Sequence, residues 1–275
     1  LTHKEDLTSG SLQALYGGIC TYLEMPNTKP PTLDAEAIAE KVAIARKNSY
    51  VDFGFFLGAD GSNLDEIARA HEMPGCCGIK IFLGSSTGPL LLTDEEKIVQ
   101  TLMAAKLPVS IHSENEALLK ERFPIVEKSK NVADHPHWRS VESALSSTKK
   151  IVELAKRAKK KIHILHITTK DEIDFLKTQT DICTFEILPQ HLWFHAPDCY
   201  EKHGTLVQMN PPIRSIDHRD KIRWAVTQKL PYVIGSDHAP HTLEEKNKPY
   251  PTSPSGIPGV QLMVPLMLTL RQELD

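Results

Sequence analysis

The stretch VIGSDHAPH (233–241) follows an apolar, strand-like run and carries Asp237, His238 and His241 at its end. Carboxylate and imidazole do not belong at the mouth of a buried strand unless something pairs with them. Other strand-like runs end in the same way. One stops at Asn27, one carries Lys80 inside GIKIF, and three more stop at His112, His166 and His191. Taken singly, a strand-end His is more often a hydrogen-bonded structural residue than a ligand, and a Lys among apolar neighbours often snorkels its head to solvent. Three imidazoles, a carboxylate and a buried Lys on successive strand ends are hard to explain as five independent events. Neutral imidazole and carboxylate suit zinc and similar divalent ions. Such an ion lowers the pKa of bound water and polarises a carbonyl. Asp237 would accept the water's proton and pass it to a leaving group, so the implied reaction class is metal-assisted hydrolysis. Lys80 is the odd member. An ammonium repels a cation, whereas an amine carbamylated by CO₂ becomes an anionic bridge between two metals. A salt-bridged or catalytic Lys is the other reading, and sequence physics does not choose between them.

Further local features fit a small anionic or amide substrate. MPNT (25–28) turns sharply and presents Asn27. QMNPPIR (208–214) is a stiff loop presenting Asn210, with Arg214 as an anion contact. GSSTG (84–88) is a weak candidate for an anion cradle of backbone N–H groups. The Pro-rich stretch 244–259 reads as a mobile active-site loop. His135 and His137, in DHPHWR, read as structural or solvent-exposed.

The elements that must position these residues alternate from end to end. Strand patterns cover 18–27, 50–59, 76–84, 107–115, 162–168, 182–192 and 231–238. Helical patterns cover 6–18, 34–49, 63–73, 93–106, 140–161, 170–179, 218–229 and 260–274, with Asp34 and Thr93 as N-caps and Pro265 interrupting the last. An irregular insert precedes the helix at 140–161. Alternating β and α units imply a parallel sheet with crossover helices. The helix at 6–18 has no strand before it, so the pattern is that of a TIM-type (β/α)₈ barrel lacking its first strand. A doubly wound open sheet competes, but no GxGxxG or GxxxxGK[ST] favours it. In a parallel barrel every C-terminal strand end lies on one face, which holds the active site.

The 275 residues carry a formal charge of −3, which favours neither a nucleic-acid nor a membrane surface. The basic run KRAKKK (156–161) reads as a solvated helix C-terminus. Five cysteines without a CxxC pair suggest reduced thiols and a cytoplasmic protein. No signal peptide or membrane-spanning run is visible.

MPNTKPP, GIKIFLGSSTG, IHSEN, ILHIT, QMNPPIR and GSDHAPH, in this order, resemble the dihydroorotases of the amidohydrolase superfamily. The resemblance spans nearly the whole chain. It implies zinc-dependent, reversible cyclisation of N-carbamoyl-L-aspartate to (S)-dihydroorotate in pyrimidine synthesis. By similarity, Lys80 would be the carboxylated lysine bridging two Zn²⁺ ions, His112 and His166 would bind the second metal, and Asp237 would bind the first and act as general base. Asn27, Asn210, His241, Ser255 and Gly256 would contact the substrate. The family's first strand ends in a His-x-His-x-Arg motif, which this sequence does not contain near its start. His-Pro-His-Trp-Arg (135–139) is no substitute, because no strand pattern ends there. The family's small β-sandwich also has no room here. The expectation is therefore one metal-dependent hydrolase barrel domain over 1–275, inactive alone and holding at most one metal well. The expected partners are a small-molecule substrate and a second copy in a homodimer. Another cyclic amidohydrolase, of hydantoinase or allantoinase type, is one alternative. A non-catalytic scaffold for a partner such as aspartate carbamoyltransferase is the other.

Overall fold

The computed structural model describes residues 2–85 and 90–274. The strand patterns become seven parallel strands that pair in chain order: β1 (Thr21–Glu24), β2 (Asp52–Gly58), β3 (Cys76–Phe82), β4 (Val109–His112), β5 (Ile162–Ile164), β6 (Cys183–Ile187) and β7 (Val233–Ile234). A sheet that never reverses its order curls one way, and the result is an open, barrel-like wall. β1 and β7 form its two edges among the described residues.

Side chains alternate between the faces of a strand. On one face, Ile79, Ile81, Val109, Ile111, Ile162, Ile164, Phe185 and Ile187 are buried against the helices. The helices Ala35–Asn48, Glu95–Ala104 and Val141–Ala158 contribute Ile38, Val42, Ile98, Leu102, Ile151 and Ala155 to the same core. The opposite face is polar. Register pairs Lys80 with Ser110, Phe82 with His112, Ser110 with His163, and His163 with Thr184. One residue of slip would exchange the two faces, so burial of the isoleucines fixes where the polar residues go.

Four expectations are corrected. The helix at 95–104 is capped by Asp94, whose side chain accepts the Lys97 N–H, rather than by Thr93. Pro265 does not interrupt the closing helix, Met263–Leu274. It is the third residue, where the backbone N–H has no intrahelical partner to lose. β6 stops at Ile187, and His191 sits on the short helix Pro189–Trp193. Pro189 ends the strand because it cannot donate to a ladder, and it starts the helix because its φ is already suitable. Finally, the stretch 244–259 is tied down. The buried Lys246 Nζ donates to the carbonyls of Gln208, Pro254 and Gly256, each at 3.0 Å.

Candidate active site

Four predicted residues follow the strands to one rim. Lys80 lies two residues before the end of β3, and His112 is the last residue of β4. His166 lies two residues past β5, and Asp237 three past β7. His166 and Asp237 both adopt left-handed backbone, with φ of 39° and 42°. Non-glycine residues there carry strain, which persists where the surroundings over-determine the conformation.

His112 Nδ1 lies 3.1 Å from His166 Nε2, and both rings are buried. Burial holds both below the usual imidazole range; for His166, the neighbouring His112 and Lys80 push further the same way. The rings are therefore neutral and keep a lone pair. Lys80 is 2% exposed, and its Nζ has no hydrogen-bond partner. It lies 4.1 Å from the Phe82 ring centre. Burial lowers its pKa to about 7 against the pull of Glu186 and Asp237. Burial and Glu186 raise the Asp237 carboxyl to about 7, while Lys80 and His238 oppose the rise.

Sequence reasoning missed the carboxylates and the arginine that surround this group. Glu114, fully buried, accepts from His112 Nε2 at 2.9 Å and from Arg139 Nε at 3.1 Å. Burial works to raise its pKa, but Arg139 and His112 outweigh it and hold the group ionised. Arg139 also donates to the Ser85 carbonyl at 2.7 Å. The two-residue period places Glu114 beyond His112 on the same face, a signal available in IHSEN. Glu186 faces inward from β6, and its Oε1 accepts the His166 backbone N–H at 3.3 Å. A Cβ on Gly235 would come within 2.8 Å of that carboxylate, so β7 approaches it through a glycine.

The predicted substrate contacts occupy loops beyond the strand ends. Asn27 is half-buried past the end of β1. Asn210 Oδ1 accepts from His135 Nε2 at 3.0 Å, which makes His135 a support for that loop. Ser255 Oγ accepts from Gln208 Nε2 at 3.0 Å, and the Gly256 N–H donates to the Gln208 carbonyl at 2.9 Å. Gly256 needs to be glycine, since its φ is +145° and a Cβ would come within 2.3 Å of the Ala239 carbonyl oxygen. His241 has both ring nitrogens engaged: Lys4 Nζ at 2.7 Å from Nδ1, and the Ser255 carbonyl at 3.1 Å from Nε2. Substrate contact through His241 would have to displace one of them. Arg214 is a correction. It is buried, and it reaches Thr168 Oγ1 at 3.2 Å and the Arg139 carbonyl, so it braces the wall and is not placed as an anion contact. Residues 86–88 of the GSSTG cradle lie outside the described residues.

The donor set has the chemistry of a divalent-cation site. Two nitrogens bound ~2.0–2.1 Å from a tetrahedral zinc lie about 3.3 Å apart, close to the His112–His166 separation. The partnerless Lys80 Nζ marks a polar atom that the protein alone does not satisfy. Among the described residues, no three His, Cys, Asp or Glu side chains reach metal-ligand spacing together. The histidine pair and Lys80 thus fit the group, and they do not close a ligand shell by themselves.

No family model matches the chain. In sequence it is 34% identical over 275 residues to a dihydroorotase of Pyrococcus horikoshii, covering 97% of this chain and 56% of that protein. It is 33% identical over 269 residues to a dihydroorotase of Halobacterium salinarum, covering 97% and 62%. The chain thus spans about three-fifths of the length of these relatives. In structure it is similar to an L-hydantoinase (dihydropyrimidinase) from Arthrobacter aurescens, with a TM-score of 0.92 and 25% identity over 98% of this chain and 62% of that one. A dihydropyrimidinase from Brevibacillus agri shares the fold at a TM-score of 0.88 and 22% identity. The motif resemblance therefore holds along nearly the whole chain: it is similar in sequence to these dihydroorotases, and its barrel wall is similar in structure to those of the hydantoinase and the dihydropyrimidinase.

Proposed function

We propose that this chain supplies most of the active-site rim of a zinc-dependent cyclic amidohydrolase. Its reaction is the reversible interconversion of N-carbamoyl-L-aspartate and (S)-dihydroorotate, a step of pyrimidine synthesis. The observation that carries this reading is the pair of neutral imidazoles 3.1 Å apart at adjacent strand ends, with the partnerless Lys80 amine on the neighbouring strand. The dihydroorotase relatives narrow the substrate class. Two bound Zn²⁺ ions would activate a water as nucleophile and polarise the carbonyl of the ring.

The chain's residues do the rest. His112 Nδ1 and His166 Nε2 would hold one cation. Lys80, whose depressed pKa supplies a neutral amine, would add CO₂ with loss of a proton and offer the resulting carbamate as an anionic ligand. Asp237 would help to hold the other cation, and its carboxylate takes the proton that the attacking water releases. It delivers that proton to the ring nitrogen as the amide opens, and cyclisation reverses the transfer. Asn27, Asn210 and the backbone at Ser255–Gly256 hold the substrate's polar edges. The domain reading is a hydrolase barrel over 1–275. The five cysteines are free, in keeping with a reducing, cytoplasmic setting. No helix among the described residues is long and apolar enough to cross a membrane.

The test uses the longest native form of the protein, supplied with Zn²⁺ and bicarbonate. Ring opening of dihydroorotate and of hydantoin is followed side by side. Turnover of dihydroorotate, lost in Asp237→Asn, supports the proposal. Preference for hydantoin, or no turnover of either, overturns it.

A further inference from the structure

We infer that Glu114, clamped by Arg139, is a positioning residue that sets which nitrogen of His112 faces the cation. The inference rests on the proposed function and adds to it a device built from residues beyond the ligand set.

Arg139 donates to both Glu114 oxygens, and a carboxylate paired in this way faces His112 as an acceptor. Glu114 Oε2 lies 2.9 Å from His112 Nε2, so that nitrogen carries the proton. A neutral ring has one proton, which leaves Nδ1 with the lone pair, directed at His166 Nε2 3.1 Å away. Without Glu114, the hydrogen bond that holds the proton on Nε2 is lost, and His166 is the remaining polar neighbour of the ring.

Arg139 makes the selection rigid. Its Nε lies 3.1 Å from both Glu114 oxygens, and its Nη2 contacts Glu114 Oε2 as well. The same guanidinium donates to the Ser85 carbonyl, just past β3. The Arg139 carbonyl in turn accepts from Arg214, which reaches Thr168 Oγ1 past β5. The clamp therefore refers His112 to the loops after β3 and β5, the strands whose ends carry Lys80 and His166. Arg139 closes the His-Pro-His-Trp-Arg stretch in the helical insert, so the insert contributes to the site through this contact. A pair that served stability alone would be a costly choice, because two charges buried here lose their hydration.

Two measurements test the inference. The first needs no substitution: imidazole ¹⁵N correlation spectra of the cation-free chain, with His112 assigned by loss of its peaks in His112→Asn. A proton on Nε2 is expected, and a proton on Nδ1 overturns the inference. The second uses the double variant Glu114→Leu/Arg139→Met, which replaces the buried pair by apolar groups and so avoids an unpaired charge. Zn²⁺ affinity, measured by competition with a chromogenic chelator, should fall ~10–100-fold. The His112 tautomer should become mixed, while the thermal melt of the cation-free variant stays near that of the wild type. Wild-type affinity and tautomer in the double variant would show the pair to be purely structural and overturn the inference. Failure of the wild type to bind Zn²⁺ at all would instead overturn the proposed function, and the tautomer measurement would still decide the role of Glu114.

Discussion

At the scale of the residue, the most informative atom is one with nothing to do. Lys80 Nζ is buried without a hydrogen-bond partner, a state that costs free energy. Removing the polar atom should relieve that cost. Lys80→Met is expected to raise the stability of the cation-free chain by about 1–3 kcal/mol, read from urea midpoints. In the longest native form of the protein, the same substitution should abolish binding of a second Zn²⁺. A loss of stability would mean that the amine is satisfied in solution and is not held for a ligand. The position of Lys80 was legible in GIKIF because charge inside an apolar run is conspicuous. The nearby charges of Glu186 and Asp237 were only half legible: the first sits inside ICTFEIL, and only strand register shows that it faces the same side as Lys80.

At the scale of the element, the loops past the strand ends are where sequence reasoning was weakest. The stretch 244–259 is polar and Pro-rich, which suggested mobility. Its order comes from Lys246, whose three carbonyl partners lie at Gln208, Pro254 and Gly256. These contacts join the Asn210 loop to the Ser255–Gly256 loop. Lys246→Met would leave buried carbonyls unpaired, at a cost of about 1–3 kcal/mol. Lowered urea midpoints and faster proteolysis between 249 and 258 would show it, and unchanged proteolysis would count against the staple. The adjacent short helix, Leu243–Lys246, begins with a capping box of Thr242 and Glu245. Burial works to raise the Glu245 pKa, but the Thr242 N–H together with His3, Lys4 and His241 outweighs it and holds the group down to about 2. A depressed carboxyl contributes stability that is present above its unfolded pKa and is lost as pH falls through the folded one. The window here runs from 4.5 down to about 2. Glu245→Gln should therefore melt below the wild type at neutral pH. The gap should close as the buffer is taken from pH 4.5 to 2. A gap independent of pH would assign the effect to packing.

At the scale of the whole molecule, the open wall leaves two strand edges. Among the described residues, β1 and β7 each pair on one side only, and exposed apolar groups flank them: Leu23 is 53% exposed and Tyr232 74%. Unpaired edges with apolar neighbours template association. Sedimentation of the 275-residue chain is expected to show concentration-dependent association, suppressed in Leu23→Lys/Tyr232→Lys with a melting point close to that of the wild type. Association unaffected by these changes would place the contact elsewhere.

The sequence by itself determined the succession of β and α units, because hydrophobic periodicity is local. It also placed Lys80, His112, His166 and Asp237 near C-terminal strand ends, which a parallel sheet gathers at one edge. Tertiary structure alone decided the rest. Whether His191 ends a strand or rides a helix, whether Arg214 meets a ligand or braces a wall, and which nitrogen of His112 faces inward all depend on partners far away in sequence. Such contacts follow from register and packing between elements, and no local pattern records them.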